Sequence, residues 1–150
     1  MKRYMTLFLI VLSWILLPTE GLTHCEIPCG IYDDALRVKL IYEHVSTIEK
    51  SMKTIETLAK QAPVNYNQLV RWITNKETHA TEIQQIVSQY FLTQRIKPDT
   101  KDYSKQLTVL HKIMVHAMKC KQTTDLEHVR IIRSLLKDFE SIYFVHPARH

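Results

Sequence analysis

Six residues, His24-Cys25-Glu26-Ile27-Pro28-Cys29, concentrate more ligand chemistry than the rest of the chain. If the peptide bond between Thr23 and His24 is cut, His24 contributes a free α-amine and an imidazole. Cys25 then adds its peptide nitrogen and a thiolate, and Cys29 a second thiolate. Amine, deprotonated amide and two thiolates form a planar N2S2 set, which suits late first-row metals of square-planar preference, Ni(II) or Cu(II). Strong anionic donors of this kind stabilise a higher oxidation state, and the imidazole of His24 can fold back as an axial fifth donor. Pro28 and Gly30 let the backbone hook around the metal. Four tetrahedral zinc ligands are hard to assemble from so tight a loop. The residues alone also allow a plain Cys25–Cys29 disulfide in an oxidising compartment.

The terminal amine exists only after cleavage, so the preceding segment matters. Residues 1–23 are laid out like a secretory leader: Lys2 and Arg3 lead an apolar run from Met5 to Leu17, followed by Pro18 and the polar Thr19-Glu20-Gly21. That run is short of the roughly 20 apolar residues a membrane-spanning helix needs. Gly21 and Thr23 are small enough for cleavage after Thr23. Cleavage after Gly21 with later trimming, and retention as an anchor, stay open as alternatives. Export to a periplasm, an organelle lumen or the medium is the expected destination, with no membrane attachment once the leader is gone.

Loss of Lys2, Arg3 and Glu20 lowers the formal net charge from +5 to +4. A modest positive balance attracts a small anion but is too scattered for nucleic acid. Of the three cysteines, two cluster at the expected terminus and Cys120 stands alone, a poor disulfide framework but a reasonable metal site. Past residue 23 the chain has one glycine, Gly30, and four prolines, Pro28, Pro63, Pro98 and Pro147. So little turn material points to long helices.

Four helical stripes meet that expectation. The first runs Val38, Ile41, Val45, Ile48, Met52, Ile55 and Leu58, capped by Asp33 or Asp34 and ended by Pro63. The second takes Leu69, Trp72/Ile73, Ala80, Ile83, Val87 and Tyr90, with a break from Gln94 to Pro98. The third takes Tyr103, Leu107, Leu110, Met114 and Ala117. The fourth takes Leu126, Val129, Ile132, Leu136, Phe139 and Tyr143, opened by a capping box at Thr124 and Glu127. Tyr42 and Met118 lie beside these stripes and read as packing residues. The expected fold is all-α, an antiparallel four-helix bundle carrying an N-terminal metal-binding hook: 1–23 leader, 24–32 hook, 33–150 bundle. Phe144 to His150 reads as a tail in which His146 and His150 have no assigned role.

Read in full, His24-Cys-Glu-Ile-Pro-Cys-Gly-Ile-Tyr32 resembles the nickel hook of the nickel-containing superoxide dismutases, whose form is His-Cys-x-x-Pro-Cys-Gly-x-Tyr. Segments 71–80 and Tyr90-Phe91 resemble the family's second helix and later aromatic pair. The resemblance implies dismutation of superoxide to oxygen and hydrogen peroxide by Ni(III)/Ni(II) cycling, with one nickel per subunit of a homohexamer and a leader-cleaving protease as partner. It implies His24, Cys25 and Cys29 as the metal ligands, Pro28 as the residue that shapes the hook, and Tyr32 as the residue lining the open axial face. A Glu and an Arg that fix the axial imidazole in the family align with Ile41 and His79 here. His79 could support the ring by a hydrogen bond, or be an ordinary solvated residue; Glu43 lies nearby on the wrong face. Two other functions stay open on the residues alone: a secreted helical bundle closed by a Cys25–Cys29 disulfide, and a nickel or copper carrier.

Overall fold

A computed structural model describes residues 30–144, and these form four helices joined by short connections. The first helix, α1 (Asp34–Ala59), starts where the Asp33 carboxylate accepts the Leu36 N–H at 2.8 Å, the capping the sequence suggests. It buries Val38, Ile41, Val45, Ile48, Met52 and Ile55 in steps of three and four, and stops ahead of Pro63. The second, α2 (Tyr66–Gln85), starts at Asn65, whose side chain accepts the Gln68 N–H. It continues without interruption as a π-helix over Ile86–Arg95. The third and fourth are α3 (Tyr103–Gln122) and α4 (Glu127–Tyr143).

Cross-helix bonds fix the antiparallel order. Tyr42 donates to Glu140 and Arg133 to Glu49, so α1 and α4 run in opposite senses. Asn75 donates to Ser51, and Gln84 to the Met114 carbonyl, which sets α2 antiparallel to both α1 and α3. Each helix packs on its neighbours in sequence, and α4 closes the ring on α1. Twenty buried residues fill one continuous apolar core, with Phe91, Phe139 and Tyr143 making edge and stacked ring contacts at one end.

Four expectations need correction. The second helix does not break at Gln94; it continues in π form to Arg95 and closes with Ile96 N–H on the Phe91 carbonyl. Ile73 faces solvent, and Lys76 takes the buried place on that stripe. The buried face of α3 is Gln106, Leu110, Ile113, Ala117 and Cys120, so Leu107 and Met114 only flank it, and Met118 is exposed. The capping box at Thr124 does not form, because α4 begins only at Glu127. There the Asp125 carboxylate accepts the Glu127 N–H at 2.9 Å.

Lys76 explains itself by what it touches. Its ammonium, 4 % exposed, donates to the Cys120 carbonyl at 2.7 Å and to the Lys121 carbonyl, and contacts Glu77. These are carbonyls of the last turn of α3, which lack intrahelical partners and carry the negative end of the helix dipole. A cation from α2 thus closes the end of α3. Replacing Lys76 by Ala should cost about 2–4 kcal/mol of folding stability, since buried acceptors lose a charged donor. Urea unfolding of the two proteins checks this, and a loss below about 0.5 kcal/mol would contradict the account.

Candidate metal centre and its base

His24, Cys25, Pro28 and Cys29 lie outside the described residues, which start at Gly30, where the expected hook meets the bundle. Gly30 has φ +73°, a left-handed conformation that costs a residue with a Cβ about 1–2 kcal/mol. Glycine at this position therefore turns the chain between Cys29 and Tyr32. Tyr32 is half-buried and packs on the core. Its ring lies 4.3 Å from the Arg95 guanidinium and meets the Tyr90 ring edge-on at 6.0 Å.

Below Tyr32 sits Asp34, the first residue of α1. Arg95 grips its carboxylate with two nitrogens: Nε donates to Oδ1 at 2.9 Å and Oδ2 at 3.2 Å, and Nη2 donates to Oδ2 at 2.9 Å. The Tyr90 hydroxyl donates to Oδ1 at 2.6 Å, and the Tyr143 hydroxyl to Oδ2 at 2.8 Å. One carboxylate therefore ties the start of α1 to the π segment and to the end of α4. Burial alone would raise the Asp34 pKa, but the hydrogen bonds from Arg95, Tyr90 and Tyr143 win and hold it below the ordinary carboxylate value. Burial and the same carboxylate push both tyrosine hydroxyls up, so each stays a proton donor.

The π form has a geometric consequence here. Its i to i+5 hydrogen bonds stack residues five apart, whereas an α-helix turns about 100° per residue and would splay them. Tyr90 and Arg95 are five apart and both reach Asp34. Sequence reading placed Arg95 in a break and gave it no role. The available signal was an Arg five residues after an aromatic pair and just before Ile96 and Pro98, where helix would otherwise be ending.

His79 lies elsewhere. Its Nδ1 is 2.7 Å from the Nδ1 of His44, one ring donating and the other accepting, midway along α1 and α2. Burial, then the neighbouring ring, lowers the His44 pKa. Ile41 is fully buried in the core and Glu43 is exposed. The structure brings Tyr32 together with Arg95, Tyr90 and Asp34, and among the described residues His79 meets His44. A second ring pair, His116 and His128, bridges α3 and α4 at 3.3 Å. Among the described residues no group of three or more His, Cys, Asp or Glu could hold a metal ion. The ligand set expected from the sequence, His24, Cys25 and Cys29, lies outside the described residues, and the chemistry of two thiolates with nitrogen donors suits nickel.

Comparison with known families finds one that fits: the model described as nickel-containing superoxide dismutase matches residues 19–146, a span that includes the hook and the bundle. No curated protein and no solved structure matches the chain.

Asp34→Asn should remove about 3 kcal/mol of stability, because it leaves the buried Arg95 charge without its partner. Because the folded pKa of Asp34 is depressed, its contribution is fully present above about pH 4 and lost as pH falls through the folded value. Parent and Asn variant should therefore differ most at neutral pH and converge in acid. Thermal unfolding across pH measures this, and a constant difference down to strong acid would refute it.

Proposed function

The chain belongs to the nickel-containing superoxide dismutases, and from that premise we propose how this sequence performs the dismutation. The observation that carries the reading is the family match over residues 19–146, a span containing the 24–29 segment in whose sequence an amine, an amide and two thiolates lie close together. His24 provides the α-amine and the imidazole, Cys25 its peptide nitrogen and thiolate, and Cys29 the second thiolate. Nickel held by these residues would supply the one-electron Ni(III)/Ni(II) couple that dismutation needs. With two protons, two superoxide anions give one oxygen and one hydrogen peroxide.

The residues of the chain have separate tasks. Pro28 and Gly30 shape the turn that carries Cys29 back toward the first two residues. Tyr32, its ring held by Arg95, would line the approach to the metal and order water or the anion there. Protons come from solvent through that ordered water. His79, paired with His44, would support the His24 imidazole by a hydrogen bond from its other ring nitrogen. Removal of residues 1–23 by a protease creates the α-amine ligand, so activity is coupled to export through the leader. One nickel per subunit and a homohexamer complete the reading.

The test is superoxide decay by the chain starting at His24, loaded with nickel under reducing conditions. Rapid decay is expected, and one extra residue before His24 should abolish it by removing the terminal amine. Cys29→Ser should also abolish activity and leave helix content by circular dichroism unchanged. Activity that survives in Cys29→Ser would sink the assignment. Bound nickel without decay would make the protein a carrier, and a protein two hydrogens lighter without nickel would be a disulfide-closed bundle.

A further inference from the structure

We propose that His116 and His128 form an interhelical metal site that takes one divalent ion of the zinc and nickel class. The site lies wholly on α3 and α4, and it does not rest on the dismutase reading above.

Within the described residues two histidine pairs join successive helices, and their spacings separate hydrogen bonding from metal binding. His44 and His79 approach to 2.7 Å between Nδ1 atoms, the distance of a firm hydrogen bond with one proton between the rings. The Nδ1 atoms of His116 and His128 stand 3.3 Å apart, long for such a bond. Two imidazole nitrogens, each about 2.1 Å from a zinc ion and at the tetrahedral angle, lie about 3.4 Å from each other. The second pair already has that spacing, whereas the first would have to open by about 0.7 Å to reach it. The His116 and His128 rings are inclined at 57°, and the broad χ2 well of histidine lets both lone pairs turn onto one point. Both residues keep part of their surface in solvent, so water can complete the coordination.

The electrical surroundings set how strongly an ion is held. Burial, then His128, Lys119 and Lys112, lower the His116 pKa, and only Glu127 opposes them. Imidazole binds metal in its neutral form, and this ring is mostly neutral at pH 7. The two lysines also repel a dication, so the site is weaker than a closed structural zinc site with four protein ligands. Its place in the fold gives the ion a task. His128 is the second residue of α4, whose N-cap, Leu126, offers no side-chain hydrogen bond. His116 lies in the second half of α3, so an ion between the two rings ties the first turn of α4 to α3 across the connection 123–126.

The test uses the full chain with Cys25→Ser and Cys29→Ser, which removes the hook thiols, and zinc chloride as the probe. Calorimetry should find a zinc-binding event that His116→Gln and His128→Gln each remove. Zinc at about tenfold over the dissociation constant so measured should raise the unfolding midpoint by roughly 3–6 °C. Either glutamine variant should lose that rise, and the double variant should lose no more than the single ones, because one imidazole does not hold the ion. His44→Gln should retain the rise.

An equal rise in the parent and in both variants would put the zinc on other residues and overturn the proposal, as would no rise in the parent. A midpoint lowered equally with and without zinc would mark an interhelical hydrogen bond alone and overturn it too. If a variant loses its helices by circular dichroism, zinc-induced shifts of the His116 and His128 ring proton signals in the parent decide instead, and unmoved signals refute the site. None of these readouts involves superoxide, so the outcome is independent of whether the hook is a dismutase centre.

Discussion

The hook end of the bundle depends on one carboxylate. Asp34 accepts Arg95, Tyr90 and Tyr143, which come from two elements besides its own. Without it, a buried guanidinium and two buried hydroxyls would lose their acceptor together, and such groups cost most when left unpaired in a low-dielectric site. The arrangement also explains why the rings collect here. Phe91 packs edge-on against Phe139 and Tyr143, and Tyr143 stacks on Phe139, forming an apolar wall behind the polar cluster. The ion pair is shielded on one side by that wall and on the other by the Tyr32 ring.

The two irregular features of the fold solve similar problems. A π-helical end of α2 brings Tyr90 and Arg95 to the same carboxylate, which an α-helical register would separate. Lys76 breaks the apolar pattern of α2 because the last carbonyls of α3 need a donor. In both places a local rule is violated to satisfy buried polar groups from another helix. Such groups must be paired, and the pattern of apolar residues has to yield where pairing requires it.

That contrast explains what could be read from the sequence. The stripes of α1 and α4 are legible because their period is regular and uninterrupted from Val38 to Ile55 and from Val129 to Tyr143. In α3 the buried face includes Gln106 and Cys120, so a search for apolar residues alone drifted toward Leu107 and Met114. Arg95 was invisible because a charged residue next to Ile96 and Pro98 reads as a loop, and periodicity carries no trace of a change from α to π. The donor set proposed at 24–29 rests on sequence alone, because adjacent amine, imidazole and thiols need no tertiary structure to come together. The cluster at the start of α1 could not be read, since Asp34, Tyr90, Arg95 and Tyr143 are up to 109 residues apart and meet only in the folded chain.

A metal site at a chain terminus cannot take its rigidity from a helix or strand of its own, and sites on loops are less well defined than sites on regular elements. Chelation fixes the donors relative to each other but not relative to the protein. Only Gly30 to Asp33 separate Cys29 from Asp34 in the sequence, so under the proposed ligand set any looseness at Asp34 would be passed to the donors. Anchoring that residue from two other elements limits the looseness at its source, and placing Tyr32 on Arg95 extends the fixed region toward the donors. The same economy bears on peroxide, the product of the reaction. The one thiol within the described residues, Cys120, is buried in the core with its thiolate disfavoured, and thiolate character governs oxidation. Within the described residues, then, the bundle presents no accessible thiol to peroxide.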